Sequence, residues 1–573
     1  MEMVNVTVDG IQVQVVKTAT VLEAAHAAGI KIPTLCYHPE LRPEGNCRVC
    51  MVEVVGARSL VASCVYPVQE GMVVHTNTAA VREARKMVVE LMLANHPPDC
   101  LSCQKNLRCE LQAIAGELGI RQIRFEGERK NYPLDQANPS LVRDQNKCIL
   151  CGRCIRACSE RQGVNIYSFA NRGFKTMVVP AFAQGLHQVG CTYCGQCASV
   201  CPTGAIVVKD DTEPVWQALS NPENHVIVQT APAVRVALGE ALELPPGTIV
   251  TGKMVAALKR LGFDRVFDTN FTADVTIMEE GSELLQRLQT GGKLPMITSC
   301  SPGWVNFAEL NYPDLLDHLS TAKSPQQMFG ALVKTYYAEK SGIDPKHIVS
   351  VSIMPCTAKK AEAARPEINA SSYQDVDYVL TTQELAAMIR QAGIDFATLP
   401  EEEYDAPMGI GTGAGVIFGA TGGVMEAALR TVYELVTGKE LPCLEFFDVR
   451  GLTGVKEAEV EIGDKKIKVA VAHTLLNARK LLDKIRAGEA DYHFIEIMAC
   501  PGGCIGGGGQ PINKTTGFRQ KRLDAIYQCD TSSQIRKSHL NPAVKELYDT
   551  WLGKPLAEKS HRLLHTHYHR QPR

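Results

Sequence analysis

Residues 148–158 read CILCGRCIRAC, and residues 191–201 read CTYCGQCASVC. Each run contains four cysteines, and successive cysteines are separated by two, two and three residues. The two runs therefore form an internal repeat. Fifteen of the 21 cysteines of this 573-residue chain lie between residues 36 and 201. Such dense thiols form disulfides in secreted chains and bind metal in a reducing compartment. Because residues 1–10 lack a basic start followed by an apolar stretch, we expect a cytoplasmic, metal-binding protein.

The two runs have the spacing of bacterial ferredoxins, in which the fourth cysteine of each run ligates the cluster of the other. Pro202, which follows the second run, belongs to the same pattern. We therefore predict two [4Fe–4S] clusters. The predicted ligand sets are Cys148, Cys151, Cys154 with Cys201, and Cys191, Cys194, Cys197 with Cys158.

A third set of cysteines consists of Cys36, Cys47, Cys50 and Cys64. Ten, two and thirteen residues separate them, so the short pair can hold one iron while the outer two complete the four thiolates of a [2Fe–2S] cluster. A similar long spacing occurs in complex I-type iron–sulfur domains. A zinc knuckle is the alternative, although zinc sites usually pair two short couplets.

A fourth set contains a histidine and consists of His96, Cys100, Cys103 and Cys109. A lone histidine after a helix is usually a surface residue, but this one stands at ligand spacing before three cysteines. We predict a [4Fe–4S] cluster with one imidazole ligand, whose neutrality should raise the cluster potential. All fifteen N-terminal cysteines are then used, in four clusters that conduct electrons.

Hydrophobic patterning predicts the local structure of the N-terminal region. Val4–Val8 and Ile11–Val15 alternate apolar and polar residues around Asp9-Gly10, which predicts a β-hairpin. Thr20 should cap a helix that Gly29 ends. A strand around Met51–Val55 and a helix over residues 80–95 should follow.

From about residue 211 onward, short apolar strands alternate with helical segments, which predicts an α/β fold with mostly parallel strands. The predicted strands are Val226–Val228, Val275–Ile277, Met296–Thr298, Ile348–Ile353 and Val469–Val471. The clearest predicted helices are Ser282–Leu288 and Glu384–Gln391.

Composition argues against two kinds of partner. Sixty basic and 62 acidic residues leave a formal charge of −2, which disfavours nucleic acid. The uncharged stretch Ala406–Met425 is long enough to span a bilayer as a helix, but seven of its 20 residues are glycines. We interpret its alternating glycines as tightly packed backbone beside a ligand and expect no membrane association. These glycines are Gly409, Gly411, Gly413 and Gly415.

Three segments hold four of the remaining cysteines. Residues 298–304 read TSCSPGW, residues 354–359 read MPCTAK, and residues 496–504 read EIMACPGGC, followed by further glycines. In chain order these segments resemble the three signature motifs of the [FeFe]-hydrogenases. The four-cluster region resembles the accessory domains of the large clostridial-type monomeric members, so the resemblance covers the whole chain.

This resemblance implies a six-iron cofactor, the H-cluster, in which a [4Fe–4S] cube is joined to a two-iron unit carrying CO, cyanide and an azadithiolate bridge. Cys504 matches the bridging cysteine, and Cys356 and Cys500 match further cube ligands. Lys359 matches the partner of a cyanide, for which its compact ammonium is suited. The residues implied around the two-iron unit are Pro232, Gln326, Met354 and Met498, with Ala233 where some members have serine.

The implied reaction is 2H⁺ + 2e⁻ ⇌ H₂, so protons need a route to buried metal. Glu280 and Glu283 are three apart at the start of a predicted helix, which puts both carboxylates on one face. Taken alone, this pattern is usual for a solvated helix face. The resemblance implies a path from Cys300, a thiol relay, through water to Glu280, Ser320, Glu283 and Arg287. Glu279 is expected to be structural.

One residue departs from the commonest motif, which has a relay cysteine followed by a ligand cysteine. Here Ser301 follows Cys300. Ser301 could ligate the cube through oxygen, Cys300 could shift to ligate so that the relay is lost or replaced by a serine, or the fourth cube position could be weakened. A hydroxyl is a harder donor than a thiol, so oxygen ligation should alter the cube potential.

Other reactive residues carry no assignment. Cys443 and Cys529 fit no cluster set, and single cysteines are most often small buried residues. The tail histidines could bind metal, but a solvated or docked terminus is the simpler interpretation. These are His561, His565, His567 and His569. Without a Rossmann fingerprint or flavin motif, electrons must come from a partner.

The sequence thus predicts an oxygen-sensitive hydrogenase that exchanges electrons with ferredoxin or an NAD(P)H-oxidising flavoprotein and needs maturation proteins for its two-iron unit. A low-turnover hydrogen or redox sensor is one alternative. An electron-wiring subunit like that of complex I is another, although it leaves the C-terminal motifs without a role.

The expected fold is multidomain, α+β and α/β. We predict a β-grasp, plant-type [2Fe–2S] ferredoxin-like domain over residues 1–79, a histidine-ligated [4Fe–4S] domain over 80–126, a bacterial two-[4Fe–4S] ferredoxin-like domain over 140–210, and a two-lobed α/β H-cluster domain over 211–573.

Overall fold

The computed structural model describes residues 2–463 and 465–571, which divide into two compact units. Of these, residues 2–160, 165–189 and 197–207 belong to the N-terminal unit, and residues 161–164, 190–196, 208–463 and 465–571 belong to the C-terminal unit. Two short pieces of the cysteine-rich region therefore belong to the C-terminal unit.

The N-terminal unit begins with the predicted hairpin, in which β1 (Met3–Val8) and β2 (Ile11–Val16) pair antiparallel. Both turn residues, Asp9 and Gly10, have positive φ, as the tight two-residue turn requires. The predicted cap of the next helix, α1 (Val21–Ala27), is confirmed: the Thr20 hydroxyl accepts from the Glu23 amide in a capping box.

Five strands of this unit form one sheet in the order β2-β1-β5-β3-β4, and the apolar face of α1 is buried in the same core. Two small ribbons pair β6 with β9 and β7 with β8. The other elements are β3 (Met51–Val54), β4 (Val61–Ala62), β5 (Met72–His75), α2 (Ala79–Asn95), α3 (Glu110–Glu117), β6 (Leu141–Arg143), α4 (Arg153–Arg156), β7 (Ser168–Ala170), β8 (Met177–Val179), α5 (Gln196–Val200) and β9 (Ile206–Val208).

The C-terminal unit contains two four-stranded sheets. One has the order β11-β10-β13-β14 and is parallel throughout; the other has the order β12-β17-β16-β15, with only β15 antiparallel. The strands are β10 (His225–Thr230), β11 (Arg265–Asp268), β12 (Met296–Ile297), β13 (Ile348–Met354), β14 (Tyr378–Thr381), β15 (Val455–Ile462), β16 (Lys465–His473) and β17 (Phe494–Met498). The predicted α/β fold with mostly parallel strands is confirmed.

Helices surround these two sheets and bury their faces. They are α6 (Thr212–Ser220), α7 (Leu238–Ala241), α8 (Thr251–Arg260), α9 (Thr269–Thr290), α10 (Pro302–Asn311), α11 (Pro325–Leu332), α12 (Ala338–Ser341), α13 (Ala358–Ala363), α14 (Thr382–Gln391), α15 (Gly413–Ile417), α16 (Gly423–Thr437), α17 (Leu475–Arg486), α18 (Phe518–Ser532), α19 (Pro542–Leu547) and α20 (Glu558–Leu564).

One predicted strand is wrong, because Val275–Ile277 lies inside the 22-residue helix α9. Nearly every residue of α9 from Thr269 to Leu284 is buried. A helix that is buried all round has no solvent-exposed face, so its apolar residues do not recur with a clear helical period and a short β-branched run within it cannot be told from a strand. Glu280 and Glu283 consequently lie in the second half of a long helix and not near its start.

The glycine-rich stretch 406–425 is closely packed, as predicted, but its alternating glycines contact protein. A Cβ on Gly411 would lie 2.4 Å from Asn270 Cβ, and one on Gly413 would lie 2.2 Å from Asp530 Oδ1. The stretch contains α15 and the first turn of α16. Among residues 2–463 and 465–571, no helix combines the length and apolar character that crossing a membrane requires.

Replacing Gly411 with alanine should destabilise the protein, because the added methyl group overlaps helix α9. We expect Gly411→Ala to cost about 1–3 kcal/mol, as overpacking of a rigid core usually does. Gly116→Ala is the control, since open space surrounds that helical glycine. Anaerobic thermal unfolding followed by circular dichroism should show a lower midpoint for Gly411→Ala only; equal midpoints would contradict the close approach.

Candidate functional site

A cavity in the C-terminal unit lies where four parallel strands of the two sheets end. Ala231 and Pro232 follow β10, Cys356 follows β13, and two further lining segments follow β12 and β17. About 700 Å³ here, including the part open to solvent, is not filled by protein atoms. Ligands of α/β proteins bind at the carboxyl ends of parallel strands, where loops rather than side chains of the sheet form the wall.

Four cysteines from three segments of the chain line this cavity: Cys300, Cys356, Cys500 and Cys504. A hydrogen bond with Cys500 lowers the pKa of Cys356, and the same contact raises the pKa of Cys500. Burial raises the pKa of Cys504 to about 12. Thiolates in such a place need a cation to share their charge, and a metal cluster supplies one.

Two polar groups face the cavity among mostly apolar neighbours. Lys359 Nζ donates to Glu362 Oε2 at 2.9 Å and to the Cys300 carbonyl at 3.1 Å. Gln326 donates its amide to Glu362, whereas its buried Oε1 has no hydrogen-bond partner among the described residues. A buried ammonium fits an anionic group between the thiols, and the unpartnered amide oxygen fits a hydrogen-bond donor on the same group, so the residues present fit an iron–sulfur cofactor.

The residues expected around the two-iron unit are brought together with one exception. Pro232, Gln326, Met354 and Met498 line the cavity. Ala233 does not line it; this residue is fully buried in the neighbouring core, and its carbonyl accepts from Gln510. A sequence match places the residue in the segment but does not give the direction of its side chain.

Ser301 also lines the cavity and stands directly before the first turn of α10. Its Oγ accepts a hydrogen bond from the Ala499 amide at 3.2 Å. Ala499 immediately precedes Cys500, so the serine hydroxyl lies beside a cysteine segment. Ser301 therefore lines the same cavity as Cys356, Cys500 and Cys504.

One stripe of α9 leads from the cavity to the edge of the unit. Thr269 and Ala273 line the cavity, and Glu280, Glu283 and Arg287 follow at helical spacing. From Thr269 to Arg287 the helix rises roughly 27 Å, at about 1.5 Å per residue. The sequence pattern indicated the three charged residues but not the two cavity residues, because these lie in the apolar half of the stripe.

Within this stripe Glu283 and Arg287 are hydrogen-bonded to each other, and Glu283 also contacts Ser320. Ser320 donates to Glu283 Oε2 at 2.9 Å, and Arg287 donates to Glu283 Oε1 at 2.6 Å. Glu280 is fully buried and its Oε2 lacks a hydrogen-bond partner among the described residues. Burial, with a contribution from the charge of Glu283, raises the pKa of Glu280 to about 8. Burial and the charge of Glu280 raise the pKa of Cys300.

Glu279 lies beside this stripe, one turn before Glu283, and anchors the C-terminal segment. Its carboxylate accepts from Tyr548, from the Leu556 amide, from Ser560 and from His565. These contacts support the expected structural role. The tail is docked here through His565, whereas His561 and His567 are exposed.

The structure brings together two of the predicted accessory ligand sets. Cys148, Cys151, Cys154 and Cys201 line one small cavity of the N-terminal unit. In the third set, hydrogen bonds from Cys47 and Cys64 lower the pKa of Cys36 to about 2, and one from Cys64 lowers that of Cys50 to about 6. His96 lies between α2 and the loop that carries Cys100 and Cys103, and burial lowers its pKa.

A junction that the sequence did not predict joins Tyr193-Cys194-Gly195 to the segment after Cys356. Thr357 Oγ1 donates to the Tyr193 carbonyl at 2.6 Å. A Cβ on Gly195, whose φ is +69°, would lie 2.4 Å from Thr357 Oγ1. Only glycine allows this approach, which places Cys194 near Cys356, whose charge contributes to the raised pKa of Cys194.

The two unassigned cysteines lie in different environments. Cys443 is exposed, so the expectation of a buried residue is wrong there: it lies in the surface loop after α16. Cys529 is half-buried on α18 and packs against a core cluster.

Comparison with known proteins identifies the family. Residues 224–508 match the family described as iron only hydrogenase large subunit, C-terminal domain. The NADP-reducing hydrogenase subunit HndD of Solidesulfovibrio fructosivorans is 53% identical over 585 residues, covering 100% of both chains. The chain belongs to the iron-only hydrogenase family. The predicted family, enzyme class and multidomain fold are confirmed.

Other regions of this iron-only hydrogenase also match. Residues 1–79 match a 2Fe-2S cluster binding domain, residues 85–124 the NADH-ubiquinone oxidoreductase-G iron–sulfur binding region, and residues 147–205 a 4Fe-4S dicluster domain. Residues 516–571 match the iron hydrogenase small subunit. This last region was predicted from the sequence only as part of the catalytic domain.

Two further relatives agree with this assignment. Iron hydrogenase 1 of Clostridium pasteurianum is 42% identical, covering 99% of this chain and 100% of that one. The structure of an apo [FeFe]-hydrogenase from Chlamydomonas reinhardtii has 48% identity and a TM-score of 0.57, covering 63% of this chain and 99% of that chain.

The raised pKa of Glu280 predicts a pH-dependent stability. The carboxyl is neutral in the folded hydrogenase up to about pH 8 but ionises near pH 4.5 in the unfolded chain. Its stabilising contribution to the free energy of unfolding is therefore fully present below pH 4.5 and is lost as the pH rises from there to about 8. We expect Glu280→Gln, which stays neutral, to gain stability relative to wild type by about 1.4 kcal/mol per pH unit across this window. Anaerobic denaturant unfolding at several pH values would measure this; a pH-independent difference would contradict the shift.

Proposed function

We propose that this iron-only hydrogenase catalyses the reversible reaction 2H⁺ + 2e⁻ ⇌ H₂ at an H-cluster held in the cavity at the strand ends. The observation that supports this most directly is the set of cysteines from three segments converging on one buried site beside Lys359 and Gln326. When bound, the cofactor would supply the redox-active metal at which protons and electrons combine.

Each wall of the cavity has a distinct part in this proposal. Cys356, Cys500 and Cys504 would hold the cube, with Ser301 at the fourth position. Lys359, held in place by Glu362, would orient an anionic ligand of the two-iron unit. The apolar side chains of Pro232, Met354 and Met498 would exclude water and keep these electrostatic contacts strong.

Protons would move along the stripe of α9. Cys300 would exchange a proton at its Sγ with the active site, and the neutral carboxyl of Glu280 could receive or give one near neutral pH, since its pKa is raised to about 8. From there Ser320 and Glu283 would lead to Arg287. Arg287 donates to the carbonyls of Asp317, His318 and Leu319, which holds it at the end of the path.

Electrons would arrive through four accessory clusters: one [2Fe–2S] and three [4Fe–4S]. The ligands would be the four sets predicted from the sequence. The electron donor or acceptor would be ferredoxin or an NAD(P)H-oxidising flavoprotein, and the relative named as an NADP-reducing hydrogenase subunit favours the latter. We place this activity in the cytoplasm and expect maturation proteins to supply the two-iron unit.

The test is anaerobic hydrogen evolution from reduced methyl viologen, using protein whose infrared CO and cyanide bands show a loaded two-iron unit. We expect rapid turnover. Loaded protein with negligible turnover would contradict the enzymatic proposal. That result would favour the second candidate function, a hydrogen or redox sensor, with which the serine at position 301 is consistent.

Ligation by Ser301 can be tested separately from turnover. In Ser301→Cys a softer sulfur donor replaces oxygen, so the reduction potential of the cube should rise and its electron paramagnetic resonance spectrum should change. Ser299→Cys is the neighbouring control, because Ser299 Oγ donates to the Ala322 carbonyl. Unchanged spectrum and potential in Ser301→Cys would remove Ser301 from the ligand set.

A further inference from the structure

A second hydrogen-bond network reaches Glu283 from the C-terminal segment. Glu283 Oε2 accepts from the Thr321 amide at 3.0 Å and from Thr321 Oγ1 at 3.2 Å. The same Thr321 hydroxyl lies 2.8 Å from Nδ1 of His565. A threonine hydroxyl therefore stands between the carboxylate of the proposed proton path and a histidine that this path does not include.

His565 is buried, and its environment determines which ring nitrogen carries a hydrogen. Its Nε2 lies 3.1 Å from Glu279 Oε2, and both side chains are almost completely enclosed. Burial opposes ionisation of Glu279, but hydrogen bonds from His565, Ser560 and Tyr548 hold its pKa below the ordinary value. Glu279 is thus a carboxylate that accepts hydrogen bonds, so Nε2 of His565 must donate.

The Thr321 hydroxyl has only one hydrogen, which can point to one of two partners. When His565 is neutral, its Nδ1 accepts, and the hydroxyl turns toward the ring. When His565 is protonated, its Nδ1 donates to Thr321 Oγ1, and the hydroxyl is free to donate to Glu283. The protonation state of His565 thereby decides whether Glu283 receives this additional hydrogen bond.

We infer that His565 is a positioning residue for proton transfer, acting on Glu283 through the hydroxyl of Thr321. The inference rests on the proposed function, in which Glu283 belongs to the proton path. It connects the region that matches the hydrogenase small subunit, residues 516–571, to catalysis. Besides covering Glu283, that region would determine which hydrogen bonds the Glu283 carboxylate receives.

Other titratable groups surround the two ends of this network. His565 faces Glu279, which also accepts from Tyr548, and the ring of exposed His561 stacks on His565 with centroids 4.7 Å apart. The charge of His567 also acts on His561. Glu283 faces Arg287 and Glu280. A test must therefore break the Thr321 link without altering these groups.

Thr321→Val is such a variant, because valine has the shape of threonine without its hydroxyl. The Thr321 amide would still donate to Glu283, and the Thr566 amide would still donate to the Thr321 carbonyl at 2.8 Å, so the tail stays docked. Thr321→Ser restores the hydroxyl. Thr335→Val is the matched control, since that threonine hydroxyl donates to the Ala331 carbonyl of its own helical segment.

The primary measurement is the pH titration of the Glu283 carboxyl by infrared difference spectroscopy of the loaded enzyme, with the band assigned by Glu283→Gln. Thr321→Val removes a donor to the carboxylate, so its protonation midpoint should rise by about 0.5–1 pH unit. Thr321→Ser should return the wild-type midpoint, and Thr335→Val should keep it. An unchanged midpoint in Thr321→Val would overturn the inference.

Substitution at position 565 tests the same link from the histidine side. In His565→Gln the new side-chain amide would occupy the place of Nε2 and keep the contact to Glu279, but nothing would accept from the Thr321 hydroxyl at the place of Nδ1. The hydroxyl then stays free to donate to Glu283, so we expect the carboxyl midpoint to stay at or below its wild-type value. A rise in His565→Gln like that in Thr321→Val would overturn the inference.

Turnover distinguishes this inference from the proposed path. If Glu283→Gln retains wild-type hydrogen evolution, the path through Glu283 fails, and with it the catalytic part of the inference. If Glu283→Gln is slow and Thr321→Val moves the pH profile of turnover in the same direction as the carboxyl midpoint, both stand.

Discussion

Burial of anionic sulfur is the constraint on which the C-terminal unit depends. Cysteines after the carboxyl ends of β12, β13 and β17 lie in a low-dielectric cavity, where burial raises the pKa of Cys504 and Cys300. An isolated thiolate is unstable in such a place, so the cysteines are useful only if a metal cluster shares their charge. The parallel sheets supply the geometry, because their strands end together.

The same constraint explains the charges placed near the cavity. Lys359 supplies one positive charge, and Glu362 holds it in place through two short contacts. Glu280 is kept neutral by burial, so it adds no negative charge near neutral pH and can still carry a proton. Farther out, Glu283 is paired with Arg287, where the helix approaches solvent. Along α9 the environment thus changes from apolar to neutral-polar to ionic.

Helix α9 unites functions that are separate in the sequence. Its first turns line the cavity, one stripe carries the proposed proton path, and Glu279 beside that stripe anchors the C-terminal segment. Glu279 and Glu283 are one turn apart, and His565, which contacts Glu279, is linked to Glu283 through Thr321. The segment that matches a separate small subunit is therefore bonded directly to the residues around the path.

Much of this could be read from the sequence, because metal ligands must recur at short, fixed spacings. The cysteine sets, the three C-terminal motifs, the N-terminal hairpin and the capped helix α1 depend on local rules that a few adjacent residues satisfy. The same applies to β10, β12, β13 and β16 of the two C-terminal sheets. The strands β11, β14, β15 and β17 were not predicted, and a buried helix imitated a strand at Val275–Ile277.

Only the tertiary structure decided what depends on distant segments. Packing decided that Pro232 lines the cavity and Ala233 does not. It also decided two contacts between residues far apart in the chain: that of Gly195 with Thr357, and the link from His565 to Glu283. Sequence spacing determines which residues can share a cluster loop or a helix face. Which loops and faces meet is determined by packing, since side-chain burial and the pairing of buried polar groups are properties of the folded chain.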